Sequence, residues 1–395
     1  MKPLAGVTIL EFSTMITASF AAMMMAEQGA RVIKVEPIEA GDPMRYIGAA
    51  KGGISSLFAN CNRGKESIKV NLKEEAGQKL VRQLAADVDV VIHNFRPGVM
   101  DKLGLGSEAL REANSKLIYM AISGFGHEGP MKNAPAYDPV IQAHTGMTHA
   151  QGFVAGAGEH TFIRNLMCDK VTAYTACQAV TSALYLREKT GEGQHIDLSM
   201  LDSGLFFLFP DSYMDHTLLD DDVTPGPYLP DLLYQLTLTQ DGAITISAAT
   251  DAQRFGVLKA LGKEQLLEDE RFNSLEALMR NMEAYRAELA EAFLTFSTDD
   301  ILKRLGENDV PCARCLSFDE VLAQPQLAAN DSLQQVEHPL MGKMRYLRAP
   351  ARFGGEPLEP ASPSPAHGQH TASVLSAFGY DERDLEELRT AGVIG

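Results

Sequence analysis

Val7-Thr-Ile-Leu-Glu-Phe12, Ala18-Ser-Phe-Ala-Ala-Met-Met-Met-Ala-Glu-Gln28 and Arg31-Val-Ile-Lys-Val-Glu-Pro37 follow one another with only short breaks. The outer two are short apolar runs carrying valine and isoleucine, and the middle one has the length of a helix that stops at Gly29. A strand, a covering helix and a second strand of this kind build a parallel sheet, whose strands are apolar on both faces. The pattern continues with a strand at Ser67–Leu72, a helix at Glu74–Ala86, and strands at Val88–Phe95 and Lys116–Gly124. The expectation is an α/β fold with a doubly wound parallel sheet. Ligands on such sheets sit outside the carboxyl ends of the strands. Here those ends are Asn94-Phe-Arg-Pro-Gly98 and Ser123-Gly-Phe-Gly126.

Further along, a long helix is expected at Val171–Lys189, and Thr190-Gly-Glu-Gly193 turns into a strand at His195–Leu201. Asp220-Asp-Asp222 and the prolines at Pro225, Pro227 and Pro230 mark a boundary. Beyond it Leu236–Thr239 and Ala243–Ser247 flank Asp241-Gly242, a hairpin signal. Helices are expected at Ala252–Leu261, Leu275–Phe296 and Thr298–Leu305. A strand at Met344–Phe353, a proline-rich stretch at Glu356–Pro365, and helices near Ala372–Phe378 and Glu382–Ala391 complete the chain. The domain expectation is a large domain beginning in residues 1–205, a linker at 206–230, a smaller α+β domain at 231–325, and a return to the large domain over 326–395.

Of the 395 residues 45% are hydrophobic, enough for a large core, and the formal net charge is −17. A surface this acidic repels nucleic-acid phosphates and anionic lipid, so neither is an expected partner. No signal-peptide pattern opens the chain, and no apolar run spans a bilayer. Five cysteines without a secreted framework fit a reducing compartment, and the expected location is the cytoplasm.

No Gly-x-Gly-x-x-Gly follows the first strand, and no Walker A, His-Glu-x-x-His or Gly-x-Ser-x-Gly sequence occurs. Cys312-Ala-Arg-Cys315 is a lone pair, read as structural, and no metal site is expected. What remains is a set of basic loops. Asn62-Arg-Gly-Lys65 precedes one strand, and Asn94-Phe-Arg-Pro-Gly-Val-Met-Asp-Lys102 closes another. Arg63, Lys65, Arg96 and Lys102 are candidate phosphate contacts; the alternative is solvated loop charge. Asp169 follows the apolar Leu166-Met-Cys168 at the start of the long helix. It reads either as a helix cap or as a carboxylate kept ionised by the helix dipole and available as a nucleophile.

The order of these segments is similar to that of the class III CoA transferases, the superfamily of formyl-CoA and carnitine-CoA transferases and α-methylacyl-CoA racemase. The resemblance is carried by Leu4–Phe12, Gly29–Pro37 with Ala40-Gly-Asp42, Asn60–Ile68, Asn94–Gly98 with Lys102-Leu-Gly104, Ser123–Gly126, Tyr137-Asp-Pro-Val-Ile-Gln142 and Thr190–Gln194. Pro311-Cys312 with Asp319-Glu-Val321, and Gly368–Thr371 with Val374-Leu375, complete the series. The resemblance implies a Rossmann-like large domain built from both chain ends and two subunits threaded as linked rings. It implies Asp169 as catalytic aspartate, Arg96 and Lys102 at the CoA nucleotide, and Asn94 and Phe95 beside the adenine. Coenzyme A would be a substrate, and no tightly bound cofactor is implied. Ala18-Ser19 replaces the family's Gly-Pro, and Pro227-Tyr-Leu-Pro-Asp231 stands in place of the glycine-rich loop of formyl-CoA transferases.

The implied chemistry is acyl exchange through an aspartyl anhydride and an aspartyl-CoA thioester. A racemase would instead need a base where the family carries His; Tyr137 stands there, beside Asp138, and a phenol that titrates near 10 is a poor base. Tyr137 and Asp138 are candidate substrate-site residues. CoA transfer within one dicarboxylate, or CoA binding without catalysis, are the other readings.

Overall fold

The computed structural model describes residues 2–155, 160–224, 226, 233–234, 236–359 and 361–395. The chain divides into two compact units, Met1–Pro210 with Ala328–Gly395, and Asp211–Leu327.

In the first unit β1 (Thr8–Phe12), α1 (Ile16–Glu27) and β2 (Arg31–Glu36) form the expected strand-helix-strand opening. A small hairpin of β3 (Ala50–Lys51) and β4 (Ile54–Ser55) leads into α2 (Ser56–Asn62) and then β5 (Lys65–Lys69). Next come α3 (Glu75–Ala86), β6 (Val90–His93), the short helices α4 (Val99–Lys102) and α5 (Ser107–Ala113), and β7 (Ile118–Ser123). Then follow α6 (Asp138–His144), α7 (Met147–Ala155), α8 (Met167–Thr190), β8 (His195–Ser199) and α9 (Met200–Ser212). The six-stranded sheet runs β5-β2-β1-β6-β7-β8, and every pairing in it is parallel. Because the chain moves outward from β1 in both directions, β1 and β6 flank the switch point where ligands of such sheets bind.

Alternation along the strands sorts the residues. Leu10, Phe12, Ile33, Val35, Ile68 and Val91 enter a core completed by Leu80, Val81 and Leu84 of α3 and by Val374, Leu375 and Leu385 near the C-terminus. The intervening residues Glu11, Lys34, Glu36, Lys65 and Ser67 belong to the opposite face, and all are buried. Register makes Glu11 and Lys34 direct neighbours, and Lys34 and Ser67 as well. The C-terminal segment is tied in by backbone: His370 N–H donates to the Ser67 carbonyl at 2.9 Å, and Asn71 N–H to that of Val393 at 2.9 Å.

Two glycines explain the Thr190–Gln194 turn. Gly191 ends α8 in the left-handed region at φ 78°, and a Cβ on Gly193 would meet the Leu117 carbonyl oxygen at 2.1 Å.

The second unit centres on a three-stranded antiparallel sheet, with Ala243–Ile246 between Thr237–Leu238 and Cys312–Arg314. Ile244 packs there with Val257, Leu261, Phe293, Ile301 and Leu305.

Several expectations are corrected. Residues 206–212, read as linker, are the second half of α9. The helix expected over Leu275–Phe296 is two, Leu275–Arg280 and Met282–Phe293, broken at Asn281, whose side-chain amide caps the Ala277 carbonyl. The strand expected at Met344–Phe353 is a hairpin of Leu333–His338 with Gly342–Leu347, followed by the pair Arg352–Phe353 and Glu356–Pro357. The Pro227–Asp231 segment lies outside the described residues. Among the described residues no helix is long and apolar enough to cross a membrane, and no group of three or more His, Cys, Asp or Glu is placed to hold a metal.

Candidate active site

Asp169 is the third residue of α8, not its cap; Leu166 occupies the cap position and makes no side-chain capping bond. The carboxylate turns away from its own helix. Its Oδ1 accepts from the Thr17 hydroxyl in the first turn of α1. The Asp169 backbone N–H donates to Asp138 Oδ2 at 3.0 Å. Asp138, the buried first residue of α6, also accepts from Gln142 Nε2 at 2.6 Å, one helical turn on. Gln142 then holds the loop before α8, donating to the Ile163 and Asn165 carbonyls at 3.1 and 3.0 Å and accepting from Ile163 N–H at 3.1 Å.

Burial lifts the Asp169 carboxyl to about 6; the Thr17 hydroxyl opposes this, the Asp138 carboxylate adds to it, and Lys170 opposes it. The group is thus ionised at neutral pH yet more basic than an ordinary aspartate, which suits a nucleophile.

Thr17 is placed by the turn after β1. Asn94 grips Thr14 from both sides, its Oδ1 accepting from Thr14 N–H at 3.1 Å and its Nδ2 donating to the Thr14 carbonyl at 2.7 Å. Met15 adopts φ 61°, uncommon for a side-chain-bearing residue, and its N–H donates to Asp42 Oδ1 at 3.2 Å. Asp42 is itself fixed by Lys34 Nζ at 3.0 Å.

Lys34 sits in a closed ionic cluster. Its ammonium lies 2.8 Å from Glu11 and also donates to Ser13 and Ser19. Lys65 lies 2.7 Å from the other Glu11 oxygen and donates to the Ser19 carbonyl and Asn62 Oδ1, both at 2.8 Å. Burial disfavours both cations. Around Lys34 the carboxylates of Glu11, Asp42 and Glu36 outweigh it and hold the group above its ordinary range. At Lys65 burial wins and the pKa falls to about 8.

This geometry divides the expected phosphate and adenine contacts. Lys65 is fully buried against Glu11, so its ammonium faces no solution ligand. Arg63 pairs with Glu27 at 2.5 Å, donates to the Asn60 and Leu347 carbonyls, and lies over the Tyr346 ring. The Asn94 amide is engaged at both ends with Thr14, and Phe95 packs partly into the core. Arg96 and Lys102 differ: both are exposed, and neither makes an ion pair or side-chain hydrogen bond among the described residues. Tyr137 projects at the start of α6 with 67% of its surface exposed, whereas Asp138 is buried beside Asp169.

Thr17, Asp42 and Gln142 were not anticipated as site residues. Thr17 lies 152 positions from Asp169, so no spacing links them. Gln142 did carry a signal, its four-residue helical spacing from Asp138.

Residues 4–371 match the model of CoA-transferase family III. Human succinyl-CoA:glutarate CoA-transferase is 32% identical over 403 residues, covering 100% of this chain and 90% of that protein. Acetyl-CoA:oxalate CoA-transferase of Acetobacter aceti is 34% identical over 342 residues, covering 84% and 85%. The crystal structure of a CAIB/BAIF family protein from Brucella suis superposes with a TM-score of 0.82 at 32% identity, covering 95% and 99%. With Asp169 held at the head of a parallel-sheet unit and similarity running through nearly the whole chain, the protein belongs to CoA-transferase family III.

Proposed function

We propose that this enzyme moves coenzyme A from an acyl-CoA to a carboxylic acid, with Asp169 as the nucleophile. The observation that carries the reading is a single one: a half-buried carboxylate near the switch point, hydrogen-bonded through one oxygen and with a pKa of about 6. Asp169 attacks the thioester to give an anhydride and CoA thiolate. The thiolate converts the anhydride to an aspartyl-CoA thioester, and the acceptor acid reverses both steps. Arg96 and Lys102, exposed beyond β6, meet the CoA phosphates. Relatives named for glutarate and oxalate transfer support a small carboxylic acid as acceptor.

The test is intact-mass analysis after mixing with a panel of acyl-CoAs. A CoA-sized adduct on Asp169 is expected, absent from Asp169→Ala, which loses transfer while keeping its fold. Transfer by that variant within about tenfold of the parent would remove Asp169 from the mechanism. Deuterium uptake at the α-carbon of a 2-methylacyl-CoA, without an acceptor acid, would favour the racemase instead.

The functional form is proposed to be an interlocked dimer. Supporting this, α9 exposes Phe206, Phe207 and Phe209, the first by 82%, a surface that a second copy would cover. Light scattering at micromolar concentration should give twice the chain mass.

A further inference from the structure

We propose that the Thr17 hydroxyl is the oxyanion donor of the aspartyl-centred steps, and that by holding Oδ1 it leaves Oδ2 as the attacking atom. The inference rests on the reading of Asp169 as nucleophile and extends it to atoms.

Thr17 is buried in the first turn of α1 and donates to Asp169 Oδ1. No donor among the described residues reaches Oδ2. An oxygen whose lone pairs are already engaged is the poorer nucleophile, so Oδ2 attacks the acyl carbon. The new Oδ2–C bond forms as the C–S bond breaks and CoA thiolate departs. In the resulting anhydride Oδ1 is the carbonyl oxygen of the aspartyl half. When the thiolate adds to Cγ, the electron pair of that carbonyl moves onto Oδ1, where the hydroxyl already points. Collapse breaks the Cγ–Oδ2 bond, the donor acid leaves with Oδ2, and the thioester remains. The acceptor carboxylate then adds to Cγ, charge returns to Oδ1, and thiolate is expelled. Oδ1 thus carries the developing charge in both aspartyl-centred additions.

The donor is in place before reaction, which is what makes such a group effective. The turn that holds it is over-determined: Asn94 clamps Thr14 by two hydrogen bonds, and Asp42 fixes Met15 at its positive φ. Asp138 does not compete for the carboxylate, since it accepts from the Asp169 backbone N–H.

Thr17→Val keeps the shape and removes the hydroxyl; Thr17→Ser keeps the hydroxyl. The valine variant should lose about 10²-fold in kcat with KM for acyl-CoA little changed, and serine should recover to within about tenfold of the parent. Rapid-quench intact mass should show the CoA adduct on Asp169 forming more slowly by the same factor. The acid limb of kcat should also move to higher pH in the valine variant, because the hydroxyl holds the Asp169 pKa down. Thr17→Ala gives the same reading should valine fail to fold. Transfer by Thr17→Val at the parent's rate, or equal losses in valine and serine, would overturn the proposal. Failure of the parent to form any adduct would instead strike the nucleophile reading itself.

Discussion

Lys34 and Lys65 on one side, and Arg96 and Lys102 on the other, are basic residues associated with strands of the same sheet in an acidic protein, yet their environments are opposite. The two lysines are fully buried, and they share Glu11 between them. Arg96 and Lys102 follow β6 at the switch point, exposed and unpaired among the described residues. The buried pair holds the turn that carries Thr17; the exposed pair is available to an anionic ligand. A basic residue next to a glycine in a loop therefore has no fixed meaning. Lys65 lies within β5 on its buried face, whereas Arg96 and Lys102 lie beyond the end of β6, and that placement decides whether a basic residue becomes scaffold or contact.

The sharpest way to break this contrast is Lys34→Met. Removing the cation leaves the buried Asp42 without its ion-pair partner and Glu11 with Lys65 alone, which should cost about 3–5 kcal/mol of stability, read by denaturation. A loss within about 1 kcal/mol would mean that the cluster is not structural.

Asp169 supplies the contrast among carboxylates. Glu11, though buried, is held below the ordinary carboxylate range by Lys34 and Lys65, whereas Asp169 rises from 3.8 to about 6. The native state therefore binds the Asp169 proton more tightly than the unfolded chain does. The contribution of this group to stability is full at low pH and falls as pH rises from 3.8 to about 6. Asp169→Asn should thus stabilise the protein by up to about 3 kcal/mol above that window and by nothing below it, as read by denaturation at two pH values.

Arg96→Ala should raise KM for acyl-CoA about tenfold, at the low end for a charge-assisted phosphate bond because the site is exposed. Its denaturation midpoint should not move, and added salt should weaken binding less than in the parent. The smallest effect belongs to Arg63→Ala. Loss of its Glu27 pair and its stacking on Tyr346 should cost about 1 kcal/mol of stability with KM for acyl-CoA unchanged. A large rise in that KM would return Arg63 to the ligand site.

The opening strands and α1 were legible because period and length speak locally: β1, β2 and their helix fall within a residue or two of where the pattern puts them. Shorter helices escaped for the same reason. Ser107–Ala113 and Asp138–His144 are two turns each and carry too few apolar positions to show a period. β5 begins at Lys65, earlier than expected, since its polar residues look like loop until Glu11 is seen opposite Lys65.

By itself, the sequence determined the alternating parallel architecture and the ordered series of motifs, and it marked Asp169 as worth weighing, because each is written in contiguous residues. The tertiary structure alone decided that Lys65 faces Glu11, that the Asn94 amide closes on Thr14, and that Thr17 meets Asp169. Those partners lie 54, 80 and 152 positions apart, the first from the difference of the residue numbers. Only the stacking of β1 between β2 and β6, with α1 laid against α8, brings them within hydrogen-bonding reach.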